Sequence, residues 1–311
     1  MSKIVISTSS FDIQNNPYIE RLTKRGMQIV LNPYQRKLSE DEILTLLGND
    51  TIALLAGIEP LTKKVLTAAR GLKVIARCGA GLDSVDLEAA RQCDILVSNT
   101  PEAPAQAVSE LTMGLILSVL RQIGSTHRLI QDGQWPRTQG HLLAAQTVGI
   151  IGLGHIGRRV ATLCLAFGAR VIAHDPYLQQ AHPDIPLVNF EQLIKEANII
   201  SLHIPYSQGT HHLIDADTLS RMKPGTVLIN AARGGLIDEN ALVEALTSGH
   251  IAGAALDVFE QEPYQGPLLN CSNVVMTSHM GSLAKESRQR MEHEAAENLL
   301  NGLITAGLLN E

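Results

Sequence analysis

The chain has 311 residues, 45% of them hydrophobic and 18% charged, which is long enough for two globular domains and too apolar for a disordered chain. Its 25 Lys and Arg stand against 31 Asp and Glu, a formal net charge of -6. That balance offers no general attraction to phosphate backbones or anionic membranes, so neither nucleic acid nor a membrane is expected as a partner.

From the N-terminus, short β-branched runs alternate with amphipathic stretches: KIVIST, PYIERLTKRG, MQIVLN, SEDEILTLLGN, TIALLAG, TKKVLTAARG, LKVIARCG, DLEAARQC and DILVSN. Strand and helix alternating at this spacing predict βαβ units and a parallel sheet. After Pro101 apolar residues recur at helical spacing for more than twenty positions up to Gly133, which predicts one long helix or a kinked pair. A second alternating block runs from TVGIIGLG at 147–154 to NVVMTSH, and a last amphipathic helix is expected over 284–307. The fold class is therefore α/β with two doubly wound parallel-sheet domains. The change of pattern places residues 1–98 and 284–311 in one domain and 99–283 in the other.

The longest apolar runs, such as 111–120, are interrupted by Gly114 and Ser118 and fall short of the roughly 20 residues that span a bilayer. The N-terminus lacks a basic start followed by an apolar stretch, and a cytoplasmic location is the expectation. Cysteines at 78, 93, 164 and 271 form no CxxC or Cys/His pair; reduced thiols and no metal are expected, with His211 and His212 as surface residues. Trp135 lies in no run of aromatic and basic residues, and a loop anchor is its expected role.

GLGHIG at 152–157 follows an apolar strand and opens a helix. Gly152 permits a tight turn, Gly154 lets backbone approach a pyrophosphate, and Gly157 lets helix and strand pack closely. The next strand ends in Asp175, 18 residues beyond Gly157, where a carboxylate can accept from ribose hydroxyls and would repel a 2′-phosphate. The cofactor expected from this order is NAD.

Four further stretches, RCGAGLDSVDL at 77–87, LINAARGGLIDENALVEAL at 228–246, GAALDVFEQEP at 253–263 and TSHMGS at 277–282, resemble the D-isomer specific 2-hydroxyacid dehydrogenases. They are most similar to the phosphoglycerate dehydrogenase branch, and the similarity runs from about Ser2 to the last helix. The resemblance implies a Rossmann NAD-binding domain inserted into a flavodoxin-like substrate domain, an active site in the cleft, and a homodimer through the helical region around 102–130. It implies an NAD-dependent oxidoreductase acting on a small 2-hydroxy or 2-oxo acid, with 3-phosphoglycerate and serine biosynthesis as the first expectation and hydroxypyruvate or glyoxylate reduction as the alternative.

By the same resemblance Arg233 binds substrate, Glu262 is the acid and His279 the proton donor. His155, Ile156, His203, Pro205, Ala231, Ala232, Arg233 and Ser282 line NAD with the glycine turn, Asp257 lies on the nicotinamide side, and the N–H groups of Ala80 and Gly81 hold the substrate carboxylate. The chemistry suits these residue types. Hydride reduction of a 2-oxo acid creates an alkoxide that an imidazolium can protonate, and a neighbouring carboxylate favours that charged form. A guanidinium can bridge the substrate carboxylate and carbonyl oxygen. Arg77, which opens the loop RCGAGLD, is expected to face a second anionic group, with Arg137 as a further charge.

The sequence departs from that branch in two places. Ser84 stands where an Asn usually follows the aspartate, and the chain ends at Glu311 after one helix, so no serine-sensing module is expected. Two rival readings are an NAD-sensing regulator of the co-repressor kind and a methyltransferase with a glycine-rich turn; the latter gives Arg233, Glu262 and His279 no shared task.

Overall fold

The computed structural model describes residues 2–179 and 183–310. In chain order the elements are β1 (Lys3–Ile6), α1 (Pro17–Lys24), β2 (Gln28–Leu31), α2 (Glu40–Leu47), β3 (Thr51–Ala56), α3 (Lys63–Ala68), β4 (Val74–Arg77), α4 (Leu87–Gln92) and β5 (Leu96–Ser98). There follow α5 (Ala105–Leu120), α6 (Ile123–Gln131), β6 (Thr147–Ile151), α7 (His155–Ala166), β7 (Arg170–His174), α8 (Phe190–Glu196) and β8 (Ile199–Leu202). The chain closes with α9 (Ala216–Arg221), β9 (Thr226–Asn230), α10 (Glu239–Thr247), β10 (Ile251–Leu256), β11 (Val274–Met276) and α11 (Lys285–Thr305).

Packing divides the chain into two units, one reaching to Pro104 and resuming at Ser282, the other running from Ala105 to Gly281. The segment after β5 stays with the first unit because it is tied there. Gly79 N donates to Thr100 Oγ1 at 2.8 Å, Ser287 Oγ to the Ala103 carbonyl at 3.0 Å, and Asn298 Nδ2 to the Asn99 carbonyl at 3.0 Å.

The first unit holds a five-stranded sheet in the order β2-β1-β3-β4-β5, all pairs parallel. Its strands are apolar on both faces, as a parallel sheet covered on both sides requires. Ile4, Ile6, Leu55 and Val74 pack under α1 and α11; Val5, Leu54 and Ile75 pack under α2, α3 and α4. Local chemistry starts the helices: Asn16 accepts from Tyr18 N and Ile19 N with Pro17 at the first position, and Ser39 and Glu42 form a reciprocal capping box.

The second unit holds six strands in the order β11-β10-β9-β8-β6-β7, again parallel, with Leu187 bridging Ala173 on the outer edge of β7. From β6 the chain winds outward to β7 and then returns to β8 on the other side of β6. That reversal leaves a crevice at the carboxyl ends of β6 and β8, the place where open α/β sheets bind ligands. The α5 and α7 side chains cover one face; α8, α9 and α10 cover the other.

The long helical stretch is a bent pair. The axis turns 62° between α5 and α6, where Gln122 takes a left-handed conformation at φ 52. Among the described residues no single helix is long and apolar enough to cross a membrane. Trp135 corrects the sequence reading: it is 81% exposed and anchors no loop. Ile123, Ile130 and Leu142 are exposed in the same stretch, and no α6 residue is buried, so the described residues offer Trp135 no interior surface to fill.

Candidate active site

The glycine turn follows directly from β6. Gly152 sits at φ 92, a region that L side chains rarely enter, and a β-carbon there would lie 2.6 Å from the His203 carbonyl oxygen on the neighbouring strand end. A β-carbon on Gly157 would collide with the Gly152 carbonyl, so only glycine lets α7 start this close to β6. Gly154 is the N-cap of α7 and brings no side-chain cap; the space where its β-carbon would stand is open. Asp175, just past β7, accepts from Leu153 N through Oδ2 at 2.9 Å and from Tyr177 N through Oδ1 at 3.0 Å, which fixes the carboxylate at the tip of the turn. Open space at a helix N-terminus with an acid beside it fits a dinucleotide.

His203 follows β8, and its Nε2 lies 2.8 Å from Ser201 Oγ. Burial pushes its pKa down to about 4, so the ring is neutral at physiological pH. Pro205 lies two residues further along the same loop.

The loop after β9 carries Ala231, Ala232 and Arg233. It is shaped by Asn230, whose Oδ1 accepts from Ala232 N at 3.0 Å and whose Nδ2 donates to the Arg233 carbonyl at 2.8 Å. Arg233 is half-buried, with Nη1 donating to the Ala232 carbonyl at 2.7 Å. At Gly234 the loop presses so closely on the Phe259–Glu260 backbone that a β-carbon would overlap it. Arg233 thereby neighbours the loop that carries Glu262.

Glu262 is held at both oxygens. Oε1 accepts from Phe259 N at 3.1 Å, and Oε2 lies 2.8 Å from His279 Nδ1. The two side chains are 33% and 38% exposed, accessible enough to meet a substrate. Asp257 organises the segment around them. It is 1% exposed; Oδ1 accepts from Thr277 Oγ1 at 2.6 Å and Met280 N at 2.9 Å, and Oδ2 accepts from Gly281 N at 2.8 Å.

In the first unit, Ala80 and Gly81 follow β4, with Asn99 Nδ2 donating to the Ala80 carbonyl at 2.7 Å. Among the described residues their own N–H groups have no hydrogen-bond acceptor. Arg77 does not project outward as the sequence suggested. It is 7% exposed and its Nη1 donates to the Cys78 carbonyl, because the guanidinium is folded under Gly79. Arg137, beyond α6, is exposed. Ser282 opens the returning segment of the first unit.

His212 is more than a surface residue, since Nε2 lies 2.9 Å from Glu260 Oε1 and its ring stacks on His211. Asn230 and Thr277 were not singled out from the sequence. The only signal for either is a lone polar residue ending an apolar strand, TVLIN and NVVMT.

Residues 113–281 match the family described as D-isomer specific 2-hydroxyacid dehydrogenase, NAD binding domain. The chain belongs to this family, whose members are NAD-dependent oxidoreductases. It is 36% identical over 293 residues to a hydroxypyruvate reductase of Thermotoga maritima, covering 91% of this chain and 96% of that one. It is 38% identical over 283 residues to a D-3-phosphoglycerate dehydrogenase of Methanocaldococcus jannaschii, covering 88% of this chain but only 54% of the relative, about half its length. The crystal structure of a glyoxylate reductase from Paecilomyes thermophila superimposes with a TM-score of 0.87 at 31% identity, over 98% of this chain and 96% of that one.

Proposed function

We propose that the protein interconverts a small 2-oxo acid and its D-2-hydroxy acid, with Arg233, Glu262 and His279 as the working residues. The observation that carries this reading is the 2.8 Å contact between His279 Nδ1 and Glu262 Oε2. With Nδ1 engaged, Nε2 is the ring atom left to give a proton to a forming alkoxide, or to take one from a hydroxyl. Glu262, itself fixed by Phe259 N, sets the ring's orientation and tautomer. Arg233 bridges the substrate carboxylate and carbonyl oxygen, which orients the acid and polarises the carbonyl. The N–H groups of Ala80 and Gly81 receive the carboxylate.

Bound NAD supplies or accepts the hydride. The residues that would hold it are Gly152, Gly154 and Gly157 with His155 and Ile156 at the pyrophosphate, Asp175 at the ribose, and His203, Pro205, Ala231, Ala232, Asp257 and Ser282 along the remainder. The Asp175 carboxylate disfavours a 2′-phosphate.

Two substrates are supported. The sequence motifs favour 3-phosphohydroxypyruvate with 3-phosphoglycerate, and the relative covered almost from end to end carries the name hydroxypyruvate reductase. An NADH oxidation screen against 3-phosphohydroxypyruvate, hydroxypyruvate, glyoxylate and pyruvate tests the reading, and no turnover of any of them would sink it. We further propose that the exposed Ile123, Ile130, Trp135 and Leu142 meet a second copy of the chain in a homodimer, and that the protein works in the cytoplasm.

A further inference from the structure

The carboxyl edge of the second unit's sheet carries a charged cluster that none of these roles uses. It is built from the loops after β8, β9 and β10, three adjacent strands. Glu260 stands two residues before Glu262 and is tied twice. Its backbone N–H donates at 2.8 Å to Oε1 of Glu239, the first residue of α10. Its own Oε1 lies 2.9 Å from His212 Nε2, on the loop after β8. His212 is fixed in turn. Its N–H donates to the Gly235 carbonyl at 2.8 Å, and its Nδ1 stands 3.9 Å from Asp238 Oδ2. Its ring stacks on His211 with centroids 3.8 Å apart, and the Tyr206 hydroxyl lies 3.3 Å from His211 Nδ1.

Phe259 links these ties to the acid. Its N–H donates to Glu262 Oε1, and the next N–H along the chain, that of Glu260, is the one given to Glu239. The peptide on one side of Phe259 therefore holds the Glu262 carboxylate, while the peptide on the other side is pinned to α10. Gly234 backs that second peptide so closely that no β-carbon fits between them. A swing of Glu260 turns Phe259 with it and moves Glu262 against His279 Nδ1. We propose that Glu260 is a positioning residue, clamped by His212 and Glu239, which acts through Glu262 on the His279 ring. The inference rests on the reading of Glu262 and His279 as the working pair. The Glu260 and His212 side chains are 37% and 30% exposed, so shortening either opens no cavity in the core. A contact this exposed contributes little to stability. Its effect is on geometry, to which a reacting group is far more sensitive.

The test measures Glu260→Ala, Glu260→Gln and His212→Asn, each alone and combined with Glu262→Gln, on whichever of the four 2-oxo acids the wild type reduces fastest. Asn tolerates the left-handed backbone of residue 212, at φ 48, yet is too short to reach Glu260. Glu260→Ala and His212→Asn should each lower kcat about 10-fold, part of the roughly 10²-fold penalty for a misplacement of about 1 Å, while KM for NADH holds. Glu260→Gln, whose amide oxygen still accepts from His212, should restore most of the lost kcat. With Glu262→Gln already present, Glu260→Ala and His212→Asn should lower kcat no further, as residues acting through one contact require. A general loss of folded protein would instead lower kcat equally in both backgrounds. Wild-type kcat in folded Glu260→Ala and His212→Asn overturns the proposal, and so does a further 10-fold fall on top of Glu262→Gln. Should Glu260→Ala not fold, the same comparison with His212→Asn decides. If Glu262→Gln alone keeps full turnover, the functional reading itself fails and the proposal with it.

Discussion

His279 is held in place by Asp257 through the backbone: its N–H donates to the Asp257 carbonyl at 2.7 Å. The Asp257 carboxylate meanwhile takes the N–H groups of Met280 and Gly281 and the hydroxyl of Thr277. His279 stands at φ 55, sparsely occupied by L residues, and these flanking bonds fix it there. Asp257→Asn puts an amide NH₂ among donors, so the loop should loosen and kcat fall on the order of 10²-fold, the usual penalty for a reacting group displaced by about 1 Å. Steady-state kinetics checks this. Wild-type kcat in a folded variant would mean the loop is positioned by other contacts.

His279→Ala removes the proposed proton carrier and is expected to lower kcat about 10²- to 10⁴-fold with NADH affinity nearly unchanged. Turnover assays paired with NADH titration separate the two quantities. A variant that retains full turnover assigns the proton transfer elsewhere.

Asp175 serves the turn as well as the proposed ribose contact, because Leu153 N donates to it. NADH should be preferred over NADPH, and Asp175→Ala should narrow that preference while also raising KM for NADH, since the turn loses its tie. The ratio of kcat/KM for the two cofactors measures it. Equal ratios in the unmodified protein would place Asp175 away from the ribose.

His203 gives the fold a pH dependence. Its pKa is about 4 when folded against about 6.5 in an unfolded chain. Between those values the unfolded chain binds a proton that the folded one does not, so this contribution is intact above pH 6.5 and is lost as pH falls toward 4. The loss is at most about 3 kcal/mol. Urea unfolding at pH 7 and pH 5 should show it, and His203→Gln should flatten the difference. An equal pH slope in the variant assigns the acid sensitivity to other groups.

Trp135 and Ile123, exposed at 81% and 54%, are the test of the dimer. Ile123→Asp combined with Trp135→Ala should shift the protein from dimer to monomer in light scattering, since a charge in an apolar contact costs more than it gains. A wild-type protein already monomeric at micromolar concentration would refute the proposed interface.

The elements were legible because their causes are local. Short, continuous apolar runs rich in β-branched residues are strands wherever they fall, caps such as Ser39 with Glu42 start helices from within a few residues, and the glycine turn needs only its own backbone and the end of β8. Family motifs also marked Glu262 and His279 as residues to watch. Their 2.8 Å contact is another matter: it depends on the β10–β11 register, which pairs Leu256 with Met276 and so sets Asp257 beside Thr277. The direction of Arg77 was equally out of reach. Its side chain folds under its own loop onto the Cys78 carbonyl, and no local pattern in RCGAGLD says whether an arginine will meet solvent or turn back on its own backbone. Trp135 shows the same limit in reverse, an aromatic left outside because no other element of the chain covers it. Backbone periodicity is settled between neighbours in sequence, whereas side-chain distances and burial are settled by which strands lie side by side, and only the tertiary structure decides that.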